Sequence, residues 1–139
     1  MMQITPRSVA LATLLCAGAA GPWIARAQTT TLPPMKSQGA VQYVCGGIGS
    51  DESNAMRAAM KDYPLSLLFA RADGAYLAEV AVTIKDASGA AVLSMPASGP
   101  VCLITLPAGR YTVEAATEGI AKSHSVSVGR GSQTADFRF

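Results

Sequence analysis

Few side chains in this 139-residue chain are of types that could perform chemistry together. His124 is the single histidine and stands between Ser123 and Ser125. Nucleophilic catalysis needs a nucleophile, a base and a group orienting that base, all in mutual reach. Serines are plentiful, but no G-x-S-x-G elbow occurs, so His124 reads as a solvent-facing strand residue. The acids Asp51-Glu52 and Glu114/Glu118 could imitate a carboxylate dyad, yet nothing in the sequence brings them together. Thioethers suit Cu(I), and Met35, Met56, Met60, Met95, His124 and the cysteines are available. No His-x-His or dense methionine cluster exists, however, and methionines at i, i+4 more often fill a core. No catalytic residue, metal site or cofactor is expected.

One segment could bind a ligand: Gly46, Gly47 and Gly49, followed by Ser50, Asp51 and Glu52. Backbone amides at a helix N-terminus can cradle an anion. Here two acids occupy the turn an anion would approach, and no lysine follows at phosphate-loop spacing. The loop reads first as a strand-to-helix corner that needs positive φ. A ligand held there would be a cation or a polar, hydroxylated molecule.

The elements around these residues begin with a targeting segment. Arg7 lies in a short polar stretch, Val9 to Ala20 is apolar and uncharged, Gly21-Pro22 breaks that run, and Ala25-Arg26-Ala27 supplies small-x-small. This order predicts a signal peptide over 1–27, cleaved between Ala27 and Gln28. The apolar run is too short for a membrane span, which needs about 20 residues. Leu15 precedes Cys16 where a lipoprotein signal wants a small residue, so cleavage is favoured over lipidation. No membrane span is expected after cleavage.

Cleavage changes the arithmetic. The chain has 11 basic and 9 acidic residues, and Arg7 and Arg26 leave with the signal, so the remaining 112 residues are neutral. A neutral surface offers no footprint for nucleic acid or an anionic membrane. Two cysteines remain, Cys45 and Cys102, an even number in an oxidising compartment, and a disulfide between them is expected. It would close a loop of more than 50 residues, worth on the order of 4 kcal/mol in the chain-entropy account.

Residues 28–39, with their threonines and Pro33-Pro34, predict a flexible or extended linker ahead of one domain at 40–139. Val41 to Cys45 reads as a strand. Ser50 as a capping hydroxyl, Asp51 and Glu52 against the dipole, and the stripe Met56, Met60, Tyr63 predict one short helix ended by Pro64. From Leu65 the period is two. Leu65, Leu67 and Phe69 alternate before a turn at Asp73-Gly74, and Tyr76, Ala78, Val80, Val82 and Ile84 share one face. Turns follow at Asp86–Gly89 and Pro96–Pro100, with a hairpin at Pro107-Ala108-Gly109. Seven or eight short strands with turns every 8–12 residues predict a mainly β, antiparallel sandwich. Its inner faces should hold Leu67, Phe69, Val80, Val82, Ile84, Leu103, Tyr111, Val113, Val126, Val128 and Phe137. A C-terminal Phe139 on an alternating strand also suits an outer-membrane barrel, but barrel strands run to about 9–11 residues with a lipid-facing apolar band, and these do not.

Two strings carry a family likeness: Val82-Thr83-Ile84-Lys85-Asp86-Ala87-Ser88-Gly89, and Leu106-Pro107-Ala108-Gly109-Arg110-Tyr111-Thr112-Val113. The second, Leu-Pro-x-Gly-x-Tyr-x-Val, is the more specific. With them, residues 65–139 resemble the carboxypeptidase regulatory-like, or transthyretin-like, β-sandwich. Gly46 to Gly49, Asp51-Glu52 and Tyr76-Leu77-Ala78 extend the likeness to small exported bacterial proteins that carry this domain. The resemblance implies a transthyretin-like fold and a role as a non-catalytic module, and no substrate. Taken with the rest of the sequence, the expectation is a periplasmic or secreted module that binds a protein or carbohydrate partner in the cell envelope at one end of the sandwich, near Gly46 to Glu52. An envelope-structural role, or a hydrolase with an unrecognised site, are the alternatives. The transthyretin-like enzymes that open a urate-derived ring carry several histidines and a distinctive C-terminal tetrapeptide. This chain has neither.

Overall fold

The computed structural model describes Gly18, Gly21, residues 32–77 and residues 79–139. Those two glycines apart, the expected signal peptide with its Ala27–Gln28 junction lies outside the described residues, as do residues 28–31 of the expected linker. Nine strands and one helix are described: β1 (Lys36–Gln38), β2 (Val41–Gly46), α1 (Ser50–Ala59), β3 (Leu65–Ala70), β4 (Val80–Asp86), β5 (Ala91–Ala97), β6 (Val101–Thr105), β7 (Gly109–Thr117), β8 (Ile120–Val128) and β9 (Gln133–Arg138). A single 3₁₀ turn, Met60–Asp62, extends α1.

The strands form two sheets packed as a sandwich, the first in the order β1-β2-β6-β3-β9 and the second in the order β5-β4-β7-β8. Alternating side chains explain the core between them. Leu67, Phe69, Val80, Val82, Ile84, Val113 and Phe137 are buried there, with Tyr111 and Val128 at its margin and Val126 packed against it.

Leu103 departs from that pattern. Strand β6 is apolar on both faces: Cys102 and Ile104 point between the sheets, while Val101 and Leu103 point outward beneath α1. The helix exists because β2 and β3 both run antiparallel to β6, hence parallel to each other, and parallel strands need a crossover. Met56, fully buried, meets Val44, Val101 and Leu103, so the outer face of the first sheet becomes a second small core.

Five further details differ from the sequence pattern. The end of the expected linker is β1, paired with Val41, Gln42 and Tyr43. Tyr76 makes only an isolated bridge to Ala70, and the inward alternation begins at Val80, because Glu79 takes a positive φ of 62° and donates its N–H to the Ala97 carbonyl at 2.6 Å. Pro96 lies inside β5 rather than in a turn, which an edge strand allows. Pro107-Ala108-Gly109 is not a hairpin, since β6 and β7 belong to different sheets. It carries the chain between layers, and the Tyr111 hydroxyl pins the crossing by donating to the Pro107 carbonyl at 2.7 Å. The last strand, β9, runs parallel to β3 while every other pairing is antiparallel.

Cys45 and Cys102 face each other across β2 and β6 and are joined by a disulfide of 2.05 Å, with Cα atoms 4.1 Å apart. The bond ties neighbouring strands of one sheet and spans 57 residues of sequence. Among the described residues no helix is long and apolar enough to cross a membrane.

Candidate functional site

Four connections gather at one end of the sandwich: Gly47–Gly49 after β2, Arg71–Glu79 after β3, Ser98–Pro100 after β5, and the Glu118-Gly119 turn after β7. The register requires this. Gly46 and Leu68 both pair with Val101, Val80 pairs with Ala97, and Thr117 with Ile120. The glycine-rich segment singled out in the sequence therefore lies on this end.

Its glycines answer to packing. The Ser98–Pro100 turn is held by the Ser98 hydroxyl, which donates to the Cys45 carbonyl at 3.2 Å, and a side chain at residue 99 would strike the backbone of Gly46. A side chain at residue 46 would in turn strike the carboxylate of Glu52. Glu52 itself accepts the Gly47 N–H at 2.8 Å, a third-position acid reaching back over its own helix start. Ser50 does not cap. The capping residue is Gly49, with no side-chain hydrogen bond, and Ser50 is the first helical residue. Glycine takes the cap position because its φ is 86°. Asp51 and Ser50 face solvent, while Glu52 is turned onto the loop.

Among the exposed charged and polar groups of this end stand three large apolar side chains. Ile48 is 65 % exposed, Tyr76 55 % and Ile120 46 %, the three exposed large hydrophobic residues among those described. Ile48 sits between two glycines, Tyr76 leaves β3–β4, and Ile120 opens β8. Their supports are fixed. Arg57, on α1, donates to the Tyr76 hydroxyl and lies 4.9 Å from the centre of its ring. Arg71 makes a two-pronged pair with Glu118, at 2.7 and 3.1 Å, joining the end of β3 in one sheet to the β7–β8 turn in the other. That hydrogen bond and the Arg71 charge hold the Glu118 carboxyl below its ordinary value, and Glu118 raises the already high value of Arg71.

At the opposite end a groove of about 560 Å³ is lined by Gln38, Val41, Asp86, Leu93, Pro107 and Tyr111, among others. Several of its polar groups are engaged within the protein. Gln38 bonds the backbone of Ser94, Tyr111 bonds Pro107, and Asp86 accepts from the Ser88 hydroxyl and from the amides of Ser88 and Ala90. The Ser88 hydroxyl leads the contacts that hold the Asp86 carboxyl below its ordinary range.

His124 is exposed on β8, opposite Val113 in register, so its ring turns to the inner side and meets the edge of Phe137 at 4.6 Å. Among the described residues it forms no ion pair with an acid. Met56 is buried in the small core beneath the helix, Met60 is half-buried against it, and Met95 touches Cys45 at 3.9 Å between sulfurs. The exposure of Ile48 was foreseeable from its place in a loop without alternation. Tyr76 was not, because the period-two pattern runs unbroken through Glu79.

No protein-family model matches the chain, and no curated protein or solved structure matches it.

Proposed function

We propose that this chain is an exported, non-catalytic β-sandwich module of the carboxypeptidase regulatory-like kind, and that it binds a protein partner through the end carrying Ile48, Tyr76 and Ile120. The observation that carries this reading is that the three exposed large apolar side chains among the described residues stand on connections at the same end of the sandwich. Large apolar groups clustered in the open mark interaction surfaces, whereas scattered ones need no explanation. The anchoring of Tyr76 by Arg57 and of the β7–β8 turn by Arg71 keeps this end ordered before binding, which limits the entropy lost on association. A protein is favoured over a carbohydrate because Arg57 already covers one face of the Tyr76 ring. The engaged hydrogen bonds of the opposite groove support a binding role over a hydrolytic one.

A photocrosslinking residue at position 48 or 76, in cells making the full chain, tests this. Discrete adducts at both positions and none at position 130, on the opposite end, are expected. Equal labelling at all three positions, or none, would refute the reading. Export is tested by the intact mass of protein from the extracytoplasmic fraction. It should begin at Gln28, with two cysteines that alkylate only after reduction. A full-length or lipid-shifted mass would overturn it.

A further inference from the structure

We propose, on the reading that the end bearing Ile48, Tyr76 and Ile120 docks a protein, that the docked segment carries apolar side chains bordered by lysine or arginine.

Charge is unevenly placed. The four connections of that end, with the first turn of α1, hold five acids, Asp51, Glu52, Asp73, Glu79 and Glu118, against one base, Arg71. From Gln28 onward acids and bases balance, so the acidity of this end is a matter of placement. Each exposed apolar side chain has an acid within three residues along the chain. Asp51 follows Ile48, Asp73 and Glu79 flank Tyr76, and Glu118 precedes Ile120. Three residues of chain span at most about 11 Å. That is close to the distance, about 8 Å, over which physiological salt screens a charge. A group seated on any of the three apolar side chains therefore feels an acid.

The cations of this end are engaged inside the protein. Arg71 holds Glu118 with both prongs, and Arg57 is turned onto the ring and hydroxyl of Tyr76. Glu52 is occupied by the Gly47 amide. Asp51, Asp73 and Glu79 are exposed and form no ion pair among the described residues, while Asp73 accepts the Ala75 N–H at 3.0 Å. Their charge is directed at solvent and at whatever docks. A second copy joined through the same end would set acids against acids. The opposite end is nearly balanced, with Lys61, Arg110 and Arg130 against Asp62 and Asp86, and presents no exposed large apolar residue among those described. An anionic membrane would be repelled. An apolar segment bordered by lysine or arginine answers both parts of the surface. The apolar contacts hold the complex, and the acids set the encounter rate and the choice of partner.

Two synthetic peptides of equal length probe this by their binding to the full chain at low salt. Leucine and tryptophan alternate with lysine in one and with glutamate in the other. The lysine peptide should bind at least about tenfold more tightly. The gap should close in the triple variant Asp51→Asn, Asp73→Asn, Glu79→Gln, and also on raising the salt to about 0.5 M. Asparagine at 73 keeps an acceptor for the Ala75 amide, and circular dichroism checks that the variant folds. Asp62→Asn, at the opposite end, should leave the gap unchanged, and Ile48→Ser should weaken both peptides. The proposal is overturned by equal binding of the two peptides, by a lysine preference that survives the triple variant, or by a lysine peptide that does not bind. If position 48 still gives its discrete adduct in cells, such a result removes the basic partner and leaves the docking end standing. If Ile48→Ser leaves binding of the lysine peptide unchanged, the docking end falls with it.

Discussion

The two edges of the four-stranded sheet are guarded very differently. At β5 the outward amide and carbonyl of Ser94 are both taken by the side chain of Gln38, at 3.0 and 2.8 Å, and Pro96, two residues on, has no N–H to offer. Gln38 comes from β1 in the other sheet, so one amide side chain blocks the edge and closes that flank of the sandwich. At β8 nine residues run without proline or an intruding side chain, and the flank is joined to the other sheet by the His124–Phe137 ring contact and, at its end, by Arg71–Glu118. An unpaired edge is a template for another strand, and natural sheets block those that must not pair. One edge is blocked by a side chain from the other sheet, and the other carries only its own inward-facing lysine, Lys122, in register with buried Ala115.

The closed flank should be the stiffer one, and its disulfide the largest single contribution. Reducing Cys45–Cys102, or replacing both cysteines by serine, should lower unfolding stability by about 4 kcal/mol. The urea midpoint with and without reductant measures it. A change under about 1 kcal/mol would mean that the β1–β2–β6 side is held by packing alone.

The open flank should fail by packing. Phe137 is fully buried and lies against Phe69 at 5.6 Å and against the His124 ring. Phe137→Ala should cost about 3 kcal/mol, the low end for such a truncation, since the exposed His124 can settle into the space. The amides of β8 should then exchange with solvent faster than those of β5. Equal acceleration on both strands would show that the flanks do not move independently.

Next in size is the guard itself. Gln38→Ala frees two backbone groups to water and should cost about 1 kcal/mol. Its sharper effect is local: exchange at the Ser94 amide should rise while that at Ser125, open already, stays unchanged. If Ser94 remains protected, the edge is covered by something other than Gln38.

These features were unequally legible in the sequence. The sandwich, its one helix and the disulfide follow from period-two alternation, an acidic first turn and cysteine parity, which are local or compositional signals. Gln38 was invisible because Lys36-Ser37-Gln38 follows prolines and threonines and has no apolar alternation, so it reads as linker. Its role depends on a strand 56 residues away. Pro96 read as a turn for the same reason, since only sheet order tells an edge strand from a central one. Leu103 could not be assigned to a face while both faces of β6 were apolar, and Gly49 displaced Ser50 as the cap because tertiary contact between Gly46 and the 98–100 turn sets the loop. Glu79 broke a regular alternation with no signal in its type. Whole strands were readable, whereas the contacts that decide edges and ends were long-range.

The smallest expected effect separates the two flanks by pH. The Gln38–Ser94 bonds carry no titrating group, whereas Arg71–Glu118 does. Glu118 has its carboxyl pKa lowered in the folded state, chiefly by the Arg71 hydrogen bond. A depressed carboxylate contributes stability above its unfolded value, about 4, and loses it as pH falls through the lower folded value. The pair is exposed, so the contribution is small and weakened by salt. Asp86 titrates in the same sense at the opposite end, so the comparison must be made in its presence. Glu118→Gln should leave stability at acid pH, where Glu118 is protonated, nearly unchanged and lower it slightly at neutral pH. The slope of stability against pH below about 4 should flatten, while Asp86→Asn flattens it independently. Exchange measured residue by residue then assigns the difference: with Glu118→Gln the neutral-pH loss should appear at the start of β8 and not at β5. A loss shared evenly by both strands would show that Arg71–Glu118 supports the whole sandwich rather than its open flank.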